Sequence, residues 1–236
     1  MNIRLYHPNS IVENNTSLLS KEHTHYVVNV MRMKRGAIIN FFNKEGEWSS
    51  EIIFLNKSRV EVKFLKKIER TFNPTNIELA ICLVKKSSMD TIFQKATELG
   101  VNRIIPLISE RSEVKELNYD RAKKITIEAT EQSNQLFPPE IVKVDKLNNF
   151  LEKFNSENKI LFADINSQNN LRIKKLKKDK MLTVLIGPEG DFSQKERDLI
   201  LSKNNVIPFS LSKNILRTDT AVISAISLIN FNLFDH

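Results

Sequence analysis

Twice near its C-terminal end the chain passes from a short apolar run through a loop into a helix, and that repetition restricts the fold more than any other feature. In the first passage Met181-Leu182-Thr183-Val184-Leu185-Ile186 reads as a buried strand, ended by Gly187. Gly190 is a second position without a Cβ, suited to a positive φ or to a ligand pressed against the backbone. Pro188 stiffens the loop between them. Ser193 and, three residues on, Glu196 form a capping box, so a helix starts near Gln194. On spacing alone this Gly-x-x-Gly loop is either a plain strand–turn–helix connection or a ligand cradle.

The second passage has the same order. Val206-Ile207-Pro208-Phe209-Ser210-Leu211 is a strand, Ser212 to Leu216 a loop, and Thr218 or Asp219 the N-cap of a helix reaching about Phe231. That helix is apolar on nearly every face, through Ala221, Val222, Ile223, Ala225, Ile226, Leu228 and Ile229. It must be buried on more than one side, against a partner subunit or as the central helix of a monomer.

The texture of the chain changes near residue 72. Before it, Ala37 to Asn43, Glu47 to Leu55 and Arg59 to Leu65 are successive strands separated by Lys44-Glu45-Gly46 and Asn56-Lys57-Ser58 turns, a β-meander. After it, apolar strands alternate with helical patterns, as a mostly parallel α/β sheet requires. Phe72-Asn73-Pro74-Thr75-Asn76 is the natural linker, dividing the chain into 1–72 and 73–236. In the second part Met89, Ile92, Phe93, Ala96 and Leu99 form one helical stripe, stopped by Gly100, while Gln94, Lys95 and Glu98 face elsewhere. Arg111, just past a strand over Arg103 to Ile108, either points a guanidinium into a cleft or pairs with a carboxylate.

A chain of 236 residues has room for two modest domains, and a net charge of +8 favours a polyanionic partner. Cys82 sits in the apolar run Ile77 to Val84, as a small buried hydrophobe does. His7, His23, His25 and His236 lack ligand spacing with it, so no metal is expected. No signal-like start or membrane-length apolar run is present, and a cytoplasmic protein is expected. Phe41, Phe42 and Trp48 suit a barrel core, with base stacking as the alternative. Arg172 to Lys178 is a solvated basic stretch or a phosphate contact.

LIGPEGDFSQKE (185–196) and LSKNILRTDTA (211–221) resemble the signature loops of the SPOUT class of RNA methyltransferases. MDTIFQKATELGVNRIIPLISERSEVKE (89–116) and EATEQSNQ (128–135) narrow the resemblance to the ribosomal RNA small-subunit methyltransferase E family. The resemblance spans essentially the whole chain and is weakest between about residues 140 and 180. It implies a small N-terminal PUA-like β-barrel, which holds RNA, and an α/β domain tied in a trefoil knot. It also implies S-adenosylmethionine as cofactor, a homodimer formed through the knotted domain, and methylation of N3 of a uridine in 16S rRNA of the small ribosomal subunit. The cofactor contacts it implies are Leu185, Gly187, Pro188, Glu189, Gly190, Leu211, Ser212, Ile215 and Leu216.

Such a transfer is an in-line displacement that needs alignment, removal of the N3 proton and stabilisation of charge on the flanking carbonyl oxygens. Arg217 is the candidate for the last, or a pin for its loop. Glu189, then Glu131, are candidates for the base. Arg4, Arg32, Lys34, Lys95 and Arg111 are the expected RNA contacts. The chain departs from the family at Asp191, Ser212, Asn214 and Gln135, where relatives carry glycine or arginine. Asp191 therefore either narrows the pocket or points outward. A ribose 2′-O-methyltransferase of the same fold and a noncatalytic RNA-binding assembly factor are the competing readings. A nucleotide-phosphate site at Gly187 to Gly190 is weaker, because the loop lacks the Lys-Ser/Thr of a P-loop.

Overall fold

Alternation of apolar and polar residues builds the N-terminal strands. The computed structural model describes residues 3–69, 76–169 and 181–233. Within it the chain forms two compact units, Met1–Asn73 with Thr130–Phe137, and Pro74–Ala129 with Pro138–His236. The basic stretch Arg172 to Lys178 and most of the expected linker lie outside the described residues.

In the first unit the expected meander forms as β3 (Ile38–Asn43), β4 (Gly46–Leu55) and β5 (Val60–Ile68), paired antiparallel. β1 (Ile3–Tyr6) adds in parallel to β3 and β2 (Thr16–Leu18) antiparallel to β5, giving the order β1-β3-β4-β5-β2. Gly46 closes the β3–β4 hairpin at φ 137°, a conformation open to glycine. Ile39, Phe41, Trp48, Ile52, Val62 and Phe64 share one core, so the candidates Phe41 and Trp48 are buried, while Phe54 at the end of β4 is 44% exposed. Phe42 is buried too, edge-on to Tyr6 at 5.8 Å.

The other side of that strand changes the reading of Arg4. Its side chain is 5% exposed and its Nε donates to Glu47 Oε2 at 3.1 Å; the Glu47 side chain is wholly buried. Nη2 and Nη1 donate to the carbonyls of Gln135 and Thr130 at 2.8 and 3.4 Å, and the guanidinium lies 4.5 Å from the Phe42 ring centre. The expected RNA contact Arg4 is thus buried and paired within the first unit. Its charge is committed to a buried carboxylate and to the segment Thr130–Phe137, which the division at residue 72 assigns elsewhere.

The second unit is a parallel sheet with helices on its faces. Its strands are β6 (Ile77–Cys82), β7 (Arg103–Ile108), β8 (Glu140–Ile141), β9 (Asp145–Lys146), β10 (Lys159–Ala163), β11 (Leu182–Ile186) and β12 (Val206–Phe209). The order is β12-β10-β11-β6-β7-β8, with β9 also against β7, and every pairing is parallel. The expected stripe lies on α2 (Lys86–Glu98), whose Met89, Ile92, Phe93 and Ala96 are buried. Burial of such side chains stabilises by roughly 1.5–3 kcal/mol each. Gly100 ends it at φ 83°. α2 packs with α6 (Thr218–Leu233) against one face; α4 (Leu147–Lys153) and α5 (Gln194–Leu201) cover the other. α6 begins at Thr218 itself, so the expected cap residues are already helical.

The Arg4–Glu47 pair gives a test of stability. Arg4→Ala leaves the buried Glu47 carboxylate with its bond from Asn40 but without the Arg4 countercharge, and should lower unfolding free energy by about 3–5 kcal/mol, read as a fall in the urea midpoint; wild-type stability would return Arg4 to the surface chemistry.

Candidate functional site

Parallel strands finish on one side of a sheet, and open α/β sheets bind ligands at those carboxyl ends. A cavity of about 290 Å³ opens there, over β10, β11 and β12. Three loops line it: Ala163, Asp164 and Ile165; Ile186 to Asp191; and Leu211, Ser212, Asn214, Ile215 and Leu216, with Thr218 and Ala221 of α6.

The middle loop is set by its own turn. The Asp191 N–H donates to the Pro188 carbonyl at 3.0 Å, and the Asp191 carboxylate accepts from the Phe192 N–H at 2.7 Å. The residue with positive φ is Asp191, at 58°, and neither Gly187 nor Gly190 adopts one. Aspartate tolerates this region because its short side chain bonds locally to the backbone. Gly187 is required for another reason: an added Cβ would lie 3.0 Å from the ring of Phe192, which is buried edge-on against Phe162 at 5.6 Å. The capping box forms as read, with the Glu196 N–H donating to Ser193 Oγ at 3.2 Å and the Ser193 N–H to Glu196 Oε2 at 3.0 Å.

The first loop is the one that sequence reasoning missed. Ile160 to Ala163 is an apolar run ending in an aspartate, a legible strand end, but it falls where the resemblance is weakest. Asp164, with its side chain 3% exposed, accepts from Arg197 Nη2 at 2.7 Å and from the Asn166 N–H at 3.0 Å. The hydrogen bond to that carboxylate holds the Arg197 guanidinium in its charged form, raising its pKa further. In the third loop Ser212 Oγ accepts from the Asn214 N–H at 3.0 Å, and Ile215 is 88% exposed at the cavity mouth.

The expected cofactor contacts Gly187, Pro188, Glu189, Gly190, Leu211, Ser212, Ile215 and Leu216 all line this cavity. Leu185 does not. Strand alternation turns its side chain into the core with Phe162 and Phe192, and Ile186 is the residue that lines the cavity. Glu189 is exposed on the wall. Arg217 is exposed directly before α6 and is not among the lining residues. Glu131 belongs to the first unit, where its Oε1 accepts from the Tyr6 N–H at 2.7 Å and lies 3.4 Å from His23 Nε2. Arg32 and Lys34 are exposed, with Arg32 at φ 50°. Lys95 pairs with Glu98 at 2.8 Å, and Arg111 Nη1 donates to the Gly190 carbonyl at 2.9 Å.

The described lining carries three carboxylates, Asp164, Glu189 and Asp191, and no lysine or arginine; its remainder is mainly aliphatic. Such a wall suits a ligand with a flat apolar part and a positive centre. Cys82, at the end of β6, is no nucleophile: burial pushes its thiol up to about 12, against a hydrogen bond from Ser109 and with Glu196 adding to the shift.

Residues 71–230 match the family described as RNA methyltransferase domain, and residues 19–65 match the RNA methyltransferase PUA domain. The chain is similar to the ribosomal RNA small subunit methyltransferase E of Rickettsia conorii, at 34% identity over 95% of this chain and 93% of that one. The enzyme of the same name from Bacillus subtilis is 30% identical over 94% and 92%. Among solved structures, the Neisseria gonorrhoeae ribosomal RNA small subunit methyltransferase E bound to S-adenosyl methionine superposes with a TM-score of 0.87, at 29% identity, over 98% of this chain and 97% of that one. A Legionella pneumophila protein in complex with the same cofactor gives 0.86 at 32% identity, over 98% and 97%.

The two glycines of the middle loop should separate under substitution. Gly187→Ala must displace Phe192 and should cost about 1–3 kcal/mol in chemical denaturation. Gly190→Ala, whose Cβ would meet nothing nearer than Arg111 Cβ at 3.6 Å, should cost less than about 0.5 kcal/mol. Equal losses would show that the Phe192 contact does not fix Gly187.

Proposed function

The chain belongs to the ribosomal RNA small subunit methyltransferase E family, and on that premise we propose that it transfers a methyl group from S-adenosylmethionine to N3 of a uridine in 16S rRNA of the small ribosomal subunit. It is an rRNA methyltransferase of SPOUT type with an N-terminal PUA domain. The observation that carries the reading is the three-loop cavity, whose wall combines aliphatic residues with carboxylates and, among the described residues, carries no lysine or arginine.

The residues fit the cofactor. Ile165, Ile186, Leu211 and Leu216 offer an apolar surface to an adenine, and Glu189 and Asp191 lie on the wall where an ammonium or sulfonium is stabilised. When bound, the cofactor supplies a methyl group made electrophilic by a sulfonium. The chain supplies the rest. Loop backbone around Gly187 to Asp191 fixes the line of attack. Glu189 is exposed and free to accept the N3 proton as the N–C bond forms and the S–C bond breaks. Glu131, engaged by Tyr6 and His23, is the poorer base. Arg217, exposed beside the third loop, meets the negative charge that develops on the uracil oxygens.

Exposed Arg32 and Lys34, with Lys95 and Arg111, bind RNA phosphates in this reading. A homodimer belongs to it as well, supported by Phe231, 75% exposed on α6, and by Ile215. So does the trefoil knot, whose loops would be those that line the cavity.

Two measurements test the proposal. Labelled methyl transfer from S-adenosylmethionine to small subunits lacking the modification, followed by nucleoside mass spectrometry, should yield N3-methyluridine; a ribose-methylated product would overturn the base specificity, and cofactor-free protein with RNA affinity alone would favour an assembly factor. Arg217→Ala should lower the transfer rate about 10²–10³-fold with unchanged melting, and unaltered turnover would remove Arg217 from the chemistry.

A further inference from the structure

Glu196 does more than cap α5. Its Oε2 accepts from the Ser193 N–H at 3.0 Å, while its Oε1 accepts from the N–H of Glu110 at 2.8 Å, 86 residues away in sequence. The residue is only 4% exposed, so both oxygens are satisfied inside the protein. Glu110 lies in the short loop after β7. That loop is folded on Ser112, whose Oγ accepts from the Ser109 N–H at 3.1 Å and lies 2.9 Å from Ser109 Oγ. The next residue, Arg111, reaches from the same loop to the Gly190 carbonyl on the cavity wall at 2.9 Å. Gly190 carries no Cβ, and the Arg111 stem passes 3.6 Å from where one would be.

Two hydrogen bonds therefore join the loop after β7 to the stretch that runs from Gly190 into the first turn of α5. One enters a buried carboxylate and the other leaves an exposed guanidinium. If the Ser109–Ser112 loop moved away, a buried charge would lose a donor, so the carboxylate holds the loop in place. Held there, Arg111 has one N–H fixed on Gly190, and this bond constrains the turn from Pro188 to Asp191.

We propose that Glu196 is a positioning residue for the cofactor pocket: it braces the Ser109–Ser112 loop so that Arg111 clamps the Gly190 carbonyl. The inference rests on the reading of the cavity as an S-adenosylmethionine site. It predicts that the two side chains act in series.

Calorimetric titration of the full-length protein with S-adenosylmethionine tests this, with melting followed for each variant. Glu196→Ala should weaken binding about fivefold and Arg111→Ala about tenfold, and the double variant should fall within about twofold of Arg111→Ala. Glu196→Gln, which keeps an acceptor for the Glu110 N–H, should recover most of the affinity. If Glu196→Ala does not fold, Glu196→Asp, whose shorter side chain cannot hold both the Ser193 and the Glu110 N–H groups, and its combination with Arg111→Ala complete the same cycle. Losses that multiply to about fiftyfold, or wild-type affinity in Glu196→Ala, would overturn the brace. Absence of binding by the unaltered protein would overturn the cofactor reading and the brace together, and is distinguished by appearing before any substitution.

Discussion

The pairing of β10 between β12 and β11 is the constraint on which the site depends. Phe162 is opposite Leu185 on one side and Pro208 on the other, and all three strands run the same way. Their carboxyl ends therefore stop together, and loops that are distant in sequence become three walls of one cavity. Among the described residues β12 pairs with β10 alone, which is why Pro208, with no N–H to give, is tolerated there. Without that edge pairing the loop carrying Leu211 to Leu216 would have no fixed origin.

The sheet can hold these ends because both its faces are covered. Val184 and Ile186 turn toward the core shared with α2 and α6, and Leu185 toward the core under α4 and α5. The alternation that seals the sheet also decides which strand residue lines the cavity. The helices are not passive: α5 carries Glu196 and Arg197, one joined to the loop after β7 and the other to Asp164. Packing and loop geometry are thus set by the same element.

Features governed by neighbours in sequence were legible without coordinates. The capping box of Ser193 and Glu196, the stripe on α2, the Gly100 stop and the meander turns each depend on a few adjacent residues. So were most of the cavity residues, because the two loops that resemble the family line it. What was not legible depends on partners far away. The burial of Arg4 depends on Glu47 and on carbonyls 126 and 131 residues on. Asp164 is recognisable only once β10 is placed beside β11. The positive φ of Asp191, in a loop where Gly190 was open to either a positive φ or a close ligand, follows from a turn that side-chain types alone do not specify.

Charge distribution ties these parts together. A polyanionic substrate and a positively charged ligand make opposite demands on a surface, and a chain of net charge +8 must meet the second somewhere. It does so by keeping lysine and arginine off the described cavity wall and placing carboxylates there. Asp164 is neutralised by Arg197, which leaves Glu189 and Asp191 as the wall's exposed negative groups. Arg111 and Arg217 are exposed and are not among the lining residues. The Arg111 guanidinium donates to a residue that lines the cavity, at the Gly190 carbonyl. A phosphate drawn to its remaining N–H groups would act on the same side chain that fixes the cofactor loop. Binding of RNA and the shape of the cavity are for that reason expected to be linked through this one guanidinium, and by reciprocity of coupling the linkage runs in both directions.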